Sequence, residues 1–235
     1  ELQALRERYR SDKAALLAQL TSSLAASRGI HARLRKLAAL TEALLCGLCQ
    51  RAALPGPIAL VAVGGFGRRQ LFPYSDVDVL VLVPETHIDP ALREKIEAFI
   101  HSCWDVGLEI GSSVRTVSEC LEESRRDITV QTSLLEAHLV CGNAALFADF
   151  QQQFRAHLDV RAFCVAKTLE MQQRHHKYED TPYALEPNCK ESPGGLRDLQ
   201  MILWVAQAAG LGSTWQELAA SGLVTPFEVR QIERN

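Results

Sequence analysis

Two aspartates, Asp76 and Asp78, open an apolar run that continues to residue 83, and ten residues separate Asp76 from the glycine pair Gly64–Gly65. If this run is a β-strand, side chains at positions i and i+2 lie on the same face, so the two carboxylates repel each other unless a cation lies between them. Magnesium is the expected cation, because hard divalent ions take carboxylate oxygens together with substrate phosphates. The glycines would let the backbone approach a phosphate closely at the start of a helix. The spacing therefore predicts a phosphate-binding turn beside a two-metal site, as in nucleotidyl transfer.

A two-metal site of this kind needs a further carboxylate that acts on the incoming nucleophile. We favour Glu109, because it lies on a predicted third strand and shares a face with small residues at positions 111 and 113. Asp105 is the alternative, although its position at a predicted helix end also fits a capping role. We therefore expect Asp76, Asp78 and Glu109 to serve both as catalytic residues and as metal ligands.

Four basic residues in two stretches are candidates for binding a triphosphate. Arg68 and Arg69 directly follow the glycines, where an arginine can bind phosphate oxygens in a bidentate manner. Lys190 and Arg197 flank a second glycine pair in the stretch 190–198, which leads into an apolar helix. The same charges could instead be solvated, cap the helix or pair with one another, and the sequence leaves both interpretations open.

The composition is that of an ordinary globular protein, with 235 residues, 47% of them hydrophobic and 23% charged. The formal net charge of -3 gives no basic field for binding nucleic acid, and no apolar stretch is long enough to span a membrane. The seven cysteines mostly lie within apolar patterns, which favours a reducing cytoplasm. Cys46 and Cys49 form a C-x-x-C pair, but the lack of a second pair argues against a zinc or redox site.

Hydrophobic periodicity divides the chain into three kinds of segment. Residues 1–53 have a helical pattern with a break at Gly29, and the Pro-Gly-Pro stretch at 55–57 ends these helices. A mixed block follows, with strands predicted at 58–63, 76–83 and 108–116, a turn and short helix at 64–70, and a helix at 90–104. From Val117 the pattern is helical almost to the end, with breaks at 142–143, 181–182 and 192–195.

These segments predict an α+β fold in which a small mixed sheet carries the acids. Both faces of the second strand are apolar beyond the acids, so this strand should be central and covered on both sides. The predicted divisions are an N-terminal helical segment (1–54), an α/β nucleotidyltransferase domain (55–142) and a helical domain (143–235). We also expect the chain to be a fragment of a longer protein, because it starts without Met and ends in a helical segment.

Three stretches occur in a fixed order: VAVGGFGRRQLFPYSDVDVLVL, WDVGLEIGSSVRT and LEPNCKESPGGLRDLQMILW. Together they resemble the bacterial PII uridylyltransferase/uridylyl-removing enzymes, which belong to the DNA-polymerase-β-like nucleotidyltransferase superfamily. The resemblance implies that Asp76, Asp78 and Glu109 are the family's acids and that Gly64 and Gly65 form its phosphate-binding turn.

Many members of that superfamily have Gly-Ser where this chain has Gly-Gly. The resemblance therefore implies that a hydroxyl contact to phosphate is missing here or comes from elsewhere, and Ser75 is the candidate for it.

The family resemblance also implies an activity. It predicts a cytoplasmic enzyme that moves UMP from UTP to a tyrosine of the signalling protein PII with release of pyrophosphate, using two Mg²⁺ ions for which Mn²⁺ can substitute. The uridylyl-removing hydrolase domain and the glutamine-sensing domains of the family are expected to lie outside this chain. Two alternatives stay open: a nucleotidyltransferase of other specificity, such as adenylyl transfer, and a nucleotide-binding regulatory module without turnover.

Overall fold

The computed structural model describes residues 2–21, 29–54, 56–85, 89–183, 185–186 and 188–234. The chain forms two compact units, Glu1–Ala156 and His157–Asn235. The segment borders proposed at residues 54 and 142 stay predictions. The described residues combine helices with a small mixed sheet, which confirms the α+β class. Within these residues, the search for a helix long and apolar enough to cross a membrane finds none.

The first unit begins with two helices, α1 (Leu2–Thr21) and α2 (Ile30–Arg51), and Gly29 stands at the predicted break before α2. Gly29 has φ 103°, in the left-handed region that favours glycine. The leucines of α2 at positions 34, 37, 44, 45 and 48 are buried. The two helices pack on each other.

Four strands of the first unit form the sheet: β1 (Ala59–Ala62), β2 (Val77–Leu82), β3 (Ile110–Arg115) and β4 (His138–Gly142), in the order β3-β2-β1-β4. β1 pairs antiparallel with β2 and with β4, whereas β2 pairs parallel with β3. A parallel pair needs a crossover connection, and here it contains helix α4 (Pro90–Asp105). β2 is therefore an inner strand, as its two apolar faces predicted.

Helices cover both faces of this sheet. On one face, the valines of β2 at positions 77, 79 and 81 pack with residues of α2 and α4. On the other face, Leu80 and Leu82 pack with residues of three helices, α5 (Val117–Arg126), α6 (Ile128–Leu135) and α7 (Ala144–His157). The alternating acids and leucines of β2 thus place the carboxylates on the face that α5 to α7 cover.

The prediction of continuous helix after Val117 is wrong at residues 138–142. These residues form β4, which lies at the sheet edge beside β1, with a shift of register between Leu60 and Val61. Five residues between two helices are too few to show a strand period, and a short apolar run such as this one fits either element. The segment becomes a strand because it pairs with β1, which is a tertiary contact.

The second unit is helical in its described part. It contains α8 (Val160–Lys177), α9 (Leu196–Ala208), α10 (Trp215–Ala220) and α11 (Pro226–Arg234). α8 and α9 pack on each other, and both contribute to the buried interior of the unit. The connection between them contains the predicted breaks and the second glycine pair.

Candidate active site

The glycine turn, which we define as residues 64–69, follows β1 directly. Its first four residues form the short helix α3 (Gly64–Gly67), and Gly64 has φ 58°, in the left-handed region. The Val63 N–H donates to the backbone carbonyl of Asp78, with 3.1 Å between nitrogen and oxygen. The glycine turn therefore starts directly opposite Asp78 in the β1–β2 pair.

The Asp78 carboxylate lies in space that two glycines leave open. Asp78 pairs in register with Gly111 on β3, and a Cβ atom added to Gly111 would lie 2.6 Å from Asp78 Oδ1. On the other side, a Cβ atom added to Gly64 would lie 3.5 Å from Asp78 Oδ2. A side chain at position 111 would therefore displace the carboxylate, and one at position 64 would fill the space next to it.

Asp76 and Glu109 lie two residues before Asp78 and Gly111 on their strands, at the same edge of the sheet. The Val77 N–H donates to the Glu109 carbonyl at 2.8 Å, which continues the parallel β2–β3 pairing by one residue. Because side chains alternate along a strand, Asp76, Asp78 and Glu109 project from the same face. The rival acid Asp105 is the last residue of α4.

The three acids share a face without forming a closed ligand set. Across the described ranges, no group of three His, Cys, Asp or Glu side chains is arranged to hold a metal ion. Asp76, Asp78 and Glu109 are all exposed, so their side chains are not part of the buried core.

The electrostatics at Asp78 favour a bound cation. Desolvation by the surrounding protein raises the pKa of the Asp78 carboxyl above its ordinary value, and the charge of Asp76 raises this pKa further. Although the Asp78 side chain reaches solvent, both effects oppose its ionised form. A cation beside Asp78 would offset both effects, and carboxylate oxygens are the donors that hard divalent ions prefer. The residues present therefore fit a magnesium-type ion.

Arg68 of the glycine turn forms an ion pair with Glu136. Its Nη1 donates to both carboxylate oxygens of Glu136, at 2.6 and 2.5 Å. The Glu136 side chain is only 3% exposed, so this ion pair is buried on the acid side. Behind the turn, a Cβ atom added to Gly67 would lie 2.4 Å from the Glu136 carbonyl oxygen, so the turn packs directly on this backbone. Arg68 therefore holds the glycine turn against the end of α6.

Arg69 takes part in a second attachment of the turn. Arg69 Nε lies 3.4 Å from Glu42 Oε1 on α2, and the same carboxylate oxygen lies 2.9 Å from His138 Nε2. His138 Nδ1 donates to the Gly67 carbonyl at 2.7 Å, because a carbonyl only accepts. Glu42, His138 and Glu136 were not identified from the sequence. They are separated from the glycines by many residues, and their only sequence signal is a polar side chain within an apolar pattern.

Two serines bear on the predicted hydroxyl contact. Ser75 is exposed in the loop before β2, and its N–H donates to the Phe72 carbonyl at 3.1 Å. Ser133 of α6 was not singled out from the sequence, yet its Oγ lies 3.5 Å from the position of a Cβ atom on Gly64. No spacing rule links residue 133 to residue 64, because α6 reaches the glycine turn only through tertiary packing.

The second glycine pair belongs to the GGLRD loop, which we define as residues 188–198 in the second unit. Gly195 is enclosed by backbone, because a Cβ atom there would lie 2.8 Å from the carbonyl oxygens of both Cys189 and Ser192. The N–H groups of Leu196 and Arg197 donate to the carbonyls of Cys189 and Lys190, each at 2.9 Å. The loop is therefore a closed backbone structure that leads into α9.

The charges that begin α9 have partners within the unit. The Asp198 carboxylate accepts from Arg174, from His175 Nε2 at 2.9 Å and from the Gly194 N–H at 2.7 Å. Arg197 donates to Gln200 Oε1 at 3.1 Å, and its guanidinium lies 5.5 Å from the centre of the Trp204 ring. These partners agree with the interpretation that the charges of residues 190–198 cap the helix and pair with one another.

Lys190 of the GGLRD loop is exposed, whereas Arg197 is partly buried. Lys190 is therefore the more accessible of the two basic candidates in the second unit.

The C-x-x-C pair of α2 has a third thiol as neighbour. Cys141 of β4 interacts with both Cys46 and Cys49, and burial is the main cause that raises the pKa of Cys46 to about 12. Cys46 Sγ also donates to the Val140 carbonyl at 3.5 Å. The raised pKa values of Cys46 and Cys141 favour the thiol form of these two groups, and the described residues show no metal-binding cluster at this place.

Comparison with known proteins identifies relatives of this chain. A family model described as GlnD PII-uridylyltransferase matches residues 162–235. The bifunctional uridylyltransferase/uridylyl-removing enzyme of Burkholderia mallei (strain SAVP1) is 56% identical over 227 residues, which cover 97% of this chain and 26% of that protein. The protein of the same description from Burkholderia lata is 54% identical over 230 residues, or 98% of this chain and 26% of that protein.

The chain thus spans about a quarter of the length of these curated relatives. The aligned regions cover nearly the whole of this chain. The resemblance drawn from the three sequence motifs is confirmed: this chain is a relative of one region of the bifunctional uridylyltransferase/uridylyl-removing enzymes.

Proposed function

We propose that this chain transfers UMP from UTP to a tyrosine hydroxyl of the PII protein and releases pyrophosphate. The tyrosine oxygen forms a bond to the α-phosphorus, the bond from this phosphorus to the bridging oxygen breaks, and the proton of the hydroxyl leaves to a base. The names of the relatives support uridylyl transfer, and the description of the matching family supports PII as the acceptor. We expect the reaction to take place in the cytoplasm.

The observation that carries this proposal is the position of Asp78. Its carboxylate lies between Gly111 and Gly64, with Asp76 on the same face, so two acids adjoin the glycine pair that opens the turn. A glycine pair at this place gives a triphosphate room beside Asp78, whose raised pKa shows that its surroundings disfavour the ionised form. A purely structural role would not explain why an inner strand with an otherwise apolar sequence starts with two acids.

Asp76 and Asp78, with Glu109 as the third acid, are the residues that would hold two Mg²⁺ ions, or Mn²⁺ in their place. When bound, such ions neutralise charge on the triphosphate and on the leaving pyrophosphate. Glu109 has a second possible task, which is to accept the proton of the tyrosine hydroxyl. The glycine turn with Ser75 and its own basic candidates, Arg68 and Arg69, would orient the triphosphate, so that the α-phosphorus faces the acceptor.

The experiment is a measurement of pyrophosphate release from UTP, ATP, GTP and CTP in the presence of purified PII, with Mg²⁺ or with EDTA. We expect release with UTP and Mg²⁺ only, and one uridylyl group on a PII tyrosine by mass spectrometry. A preference for ATP would indicate adenylyl transfer instead. Binding of UTP with Mg²⁺ without any release would identify a regulatory module and would contradict the proposal.

A matched acceptor control sharpens this assay. PII with its acceptor tyrosine changed to phenylalanine keeps the ring but removes the attacking oxygen, so pyrophosphate release should fall to the level found without PII. Unchanged release would mean that water or another residue is the acceptor.

A further inference from the structure

The space above the glycine turn has a second polar neighbour besides Asp78. A Cβ atom on Gly64 would lie 3.5 Å from Asp78 Oδ2 and also 3.5 Å from Ser133 Oγ. The missing side chain of Gly64 thus leaves a gap with a carboxylate oxygen on one side and a hydroxyl on the other. An atom in that gap would be within reach of both groups.

The Ser133 hydroxyl is not used by its own helix. Thr132, the residue before it, donates to the Ile128 carbonyl at 2.7 Å, and Ser124 of α5 donates to the Leu121 carbonyl at 2.9 Å. Within the described residues the Ser133 hydroxyl has no such bond. Because serine in a helix commonly bonds back to a carbonyl of the preceding turn, this hydroxyl has kept its capacity to donate.

α6 also holds Ser133 in place. The helix starts with an Asp127 cap, and its last residues lead into Glu136, which binds Arg68 of the glycine turn. The turn is therefore attached to the end of α6, which keeps the hydroxyl beside Gly64. An accidental surface serine would lack this fixed relation to the turn.

We infer that the Ser133 hydroxyl donates a hydrogen bond to a phosphate oxygen of the bound nucleotide, in the gap that Gly64 leaves. This inference rests on the proposed function and adds a binding residue to it. A phosphate oxygen there is held by a neutral donor on one side, while any cation at Asp78 attracts it from the other. Ser133 thereby contributes to nucleotide binding and to its orientation, without taking part in proton transfer.

The test compares Ser133→Ala and Ser133→Thr, with Ser124→Ala as the matched control. Ser124→Ala removes a helical hydroxyl of the same kind whose bond stays within its own helix. We expect Ser133→Ala to weaken binding of a non-hydrolysable UTP analogue with Mg²⁺ about tenfold in calorimetry, because a bond to a charged oxygen is lost. Ser133→Thr keeps the donor and should recover most of this loss. Ser124→Ala should bind the analogue as the wild type does.

Two readouts separate this role from a structural one. The melting temperature of Ser133→Ala without nucleotide should match that of the wild type, and the KM for UTP should rise more than kcat falls. Equal binding by Ser133→Ala and wild type, or equal losses in the Ala and Thr variants, would overturn the inference.

Failure of the proposed function would look different. In that case the wild-type chain itself would release no pyrophosphate, whereas the calorimetric comparison of the variants would still decide the role of Ser133.

Discussion

The glycine turn and the GGLRD loop both place a glycine pair shortly before an arginine, yet their glycines have opposite environments. At Gly64 the nearest atoms that a Cβ would meet are 3.5 Å away, and they belong to the polar side chains of Asp78 and Ser133. At Gly195 the corresponding atoms are backbone carbonyl oxygens at 2.8 Å. The first glycine leaves a gap beside functional groups, whereas the second allows the chain to pack on itself.

The acidic residues of the two regions also have opposite environments. In the GGLRD loop, Asp198 accepts from Arg174, His175 and a backbone N–H, so its charge is balanced within the unit. Asp78 has Asp76 as its charged neighbour, and its pKa is raised. A glycine pair followed by basic residues is therefore a weak signal for phosphate binding. The gap and the unbalanced acids beside it are the informative features.

The largest expected difference between the two regions concerns activity. Asp78→Asn should lower kcat for uridylyl transfer about 10³-fold, because a metal-binding carboxylate contributes several kcal/mol to stabilising the transition state. Asp198→Asn is the control from the GGLRD loop, and its folded fraction should keep the wild-type KM for UTP. Rates measured with PII, UTP and Mg²⁺ check this. An Asp78→Asn variant with near wild-type turnover would remove the distinction between the regions.

The second difference concerns the arginines of the glycine turn. Arg68→Ala should lower the free energy of unfolding by about 3 kcal/mol, because it leaves the buried Glu136 carboxylate without its guanidinium. Arg69→Ala is the matched control. Its ion pair with Glu42 is largely exposed on the arginine side, so we expect a loss of less than about 1 kcal/mol. Urea unfolding of both variants measures this, and equal losses would contradict the assignment of Arg68 as the attachment of the turn.

The third difference is between the glycines themselves. Gly195→Ala should destabilise the chain by about 1–3 kcal/mol, because the added methyl would overlap two carbonyl oxygens. Gly65→Ala should leave stability nearly unchanged, since its Cβ would meet nothing closer than the end of the Arg68 side chain at 3.6 Å. Gly65→Ala should instead weaken UTP binding. Thermal unfolding with and without UTP and Mg²⁺ distinguishes the two variants, and the reverse pattern would show that the glycine turn is not a binding site.

The smallest expected effect is the pH dependence of stability that the Asp78 carboxylate causes. The pKa of Asp78 in the folded chain is raised above its ordinary value of 3.8. As pH rises, the carboxyl therefore ionises at a lower pH in the unfolded chain than in the folded one. The folded state loses stability as pH rises between these two pKa values. Without metal, Asp78→Asn should therefore melt at a higher temperature than the wild type at pH 7, and this gain should disappear below pH 3.8. Melting curves in EDTA across this range measure the effect. If the gain in melting temperature of Asp78→Asn grew toward acid pH instead, folding would lower the pKa of Asp78 and not raise it.

Much of the first unit was predictable from the sequence. The valines and leucines of β2 indicated an inner strand. The short spacing between the glycine pair and the two acids, Asp76 and Asp78, indicated that the acids lie near the turn. Each inference depends on a local sequence pattern. β4 was missed, since its strand state comes from pairing with β1. Glu136, His138 and Ser133 were missed for a related reason: each acts on the glycine turn through α6, β4 and the sheet, and a single sequence carries no sign of such a contact.

The parallel pairing of β2 with β3 has a consequence for how the site forms during folding. Asp78 and Gly111 become neighbours only after the chain has closed the long loop through α4, whereas the antiparallel β1–β2 pair closes a shorter one. Closing a longer loop costs more chain entropy, and non-local pairing slows folding. Glu109 joins Asp76 and Asp78 in the same late event. Nucleotide binding during refolding would therefore report the closure of the crossover, and substitutions that weaken α4 would delay it without touching the carboxylates.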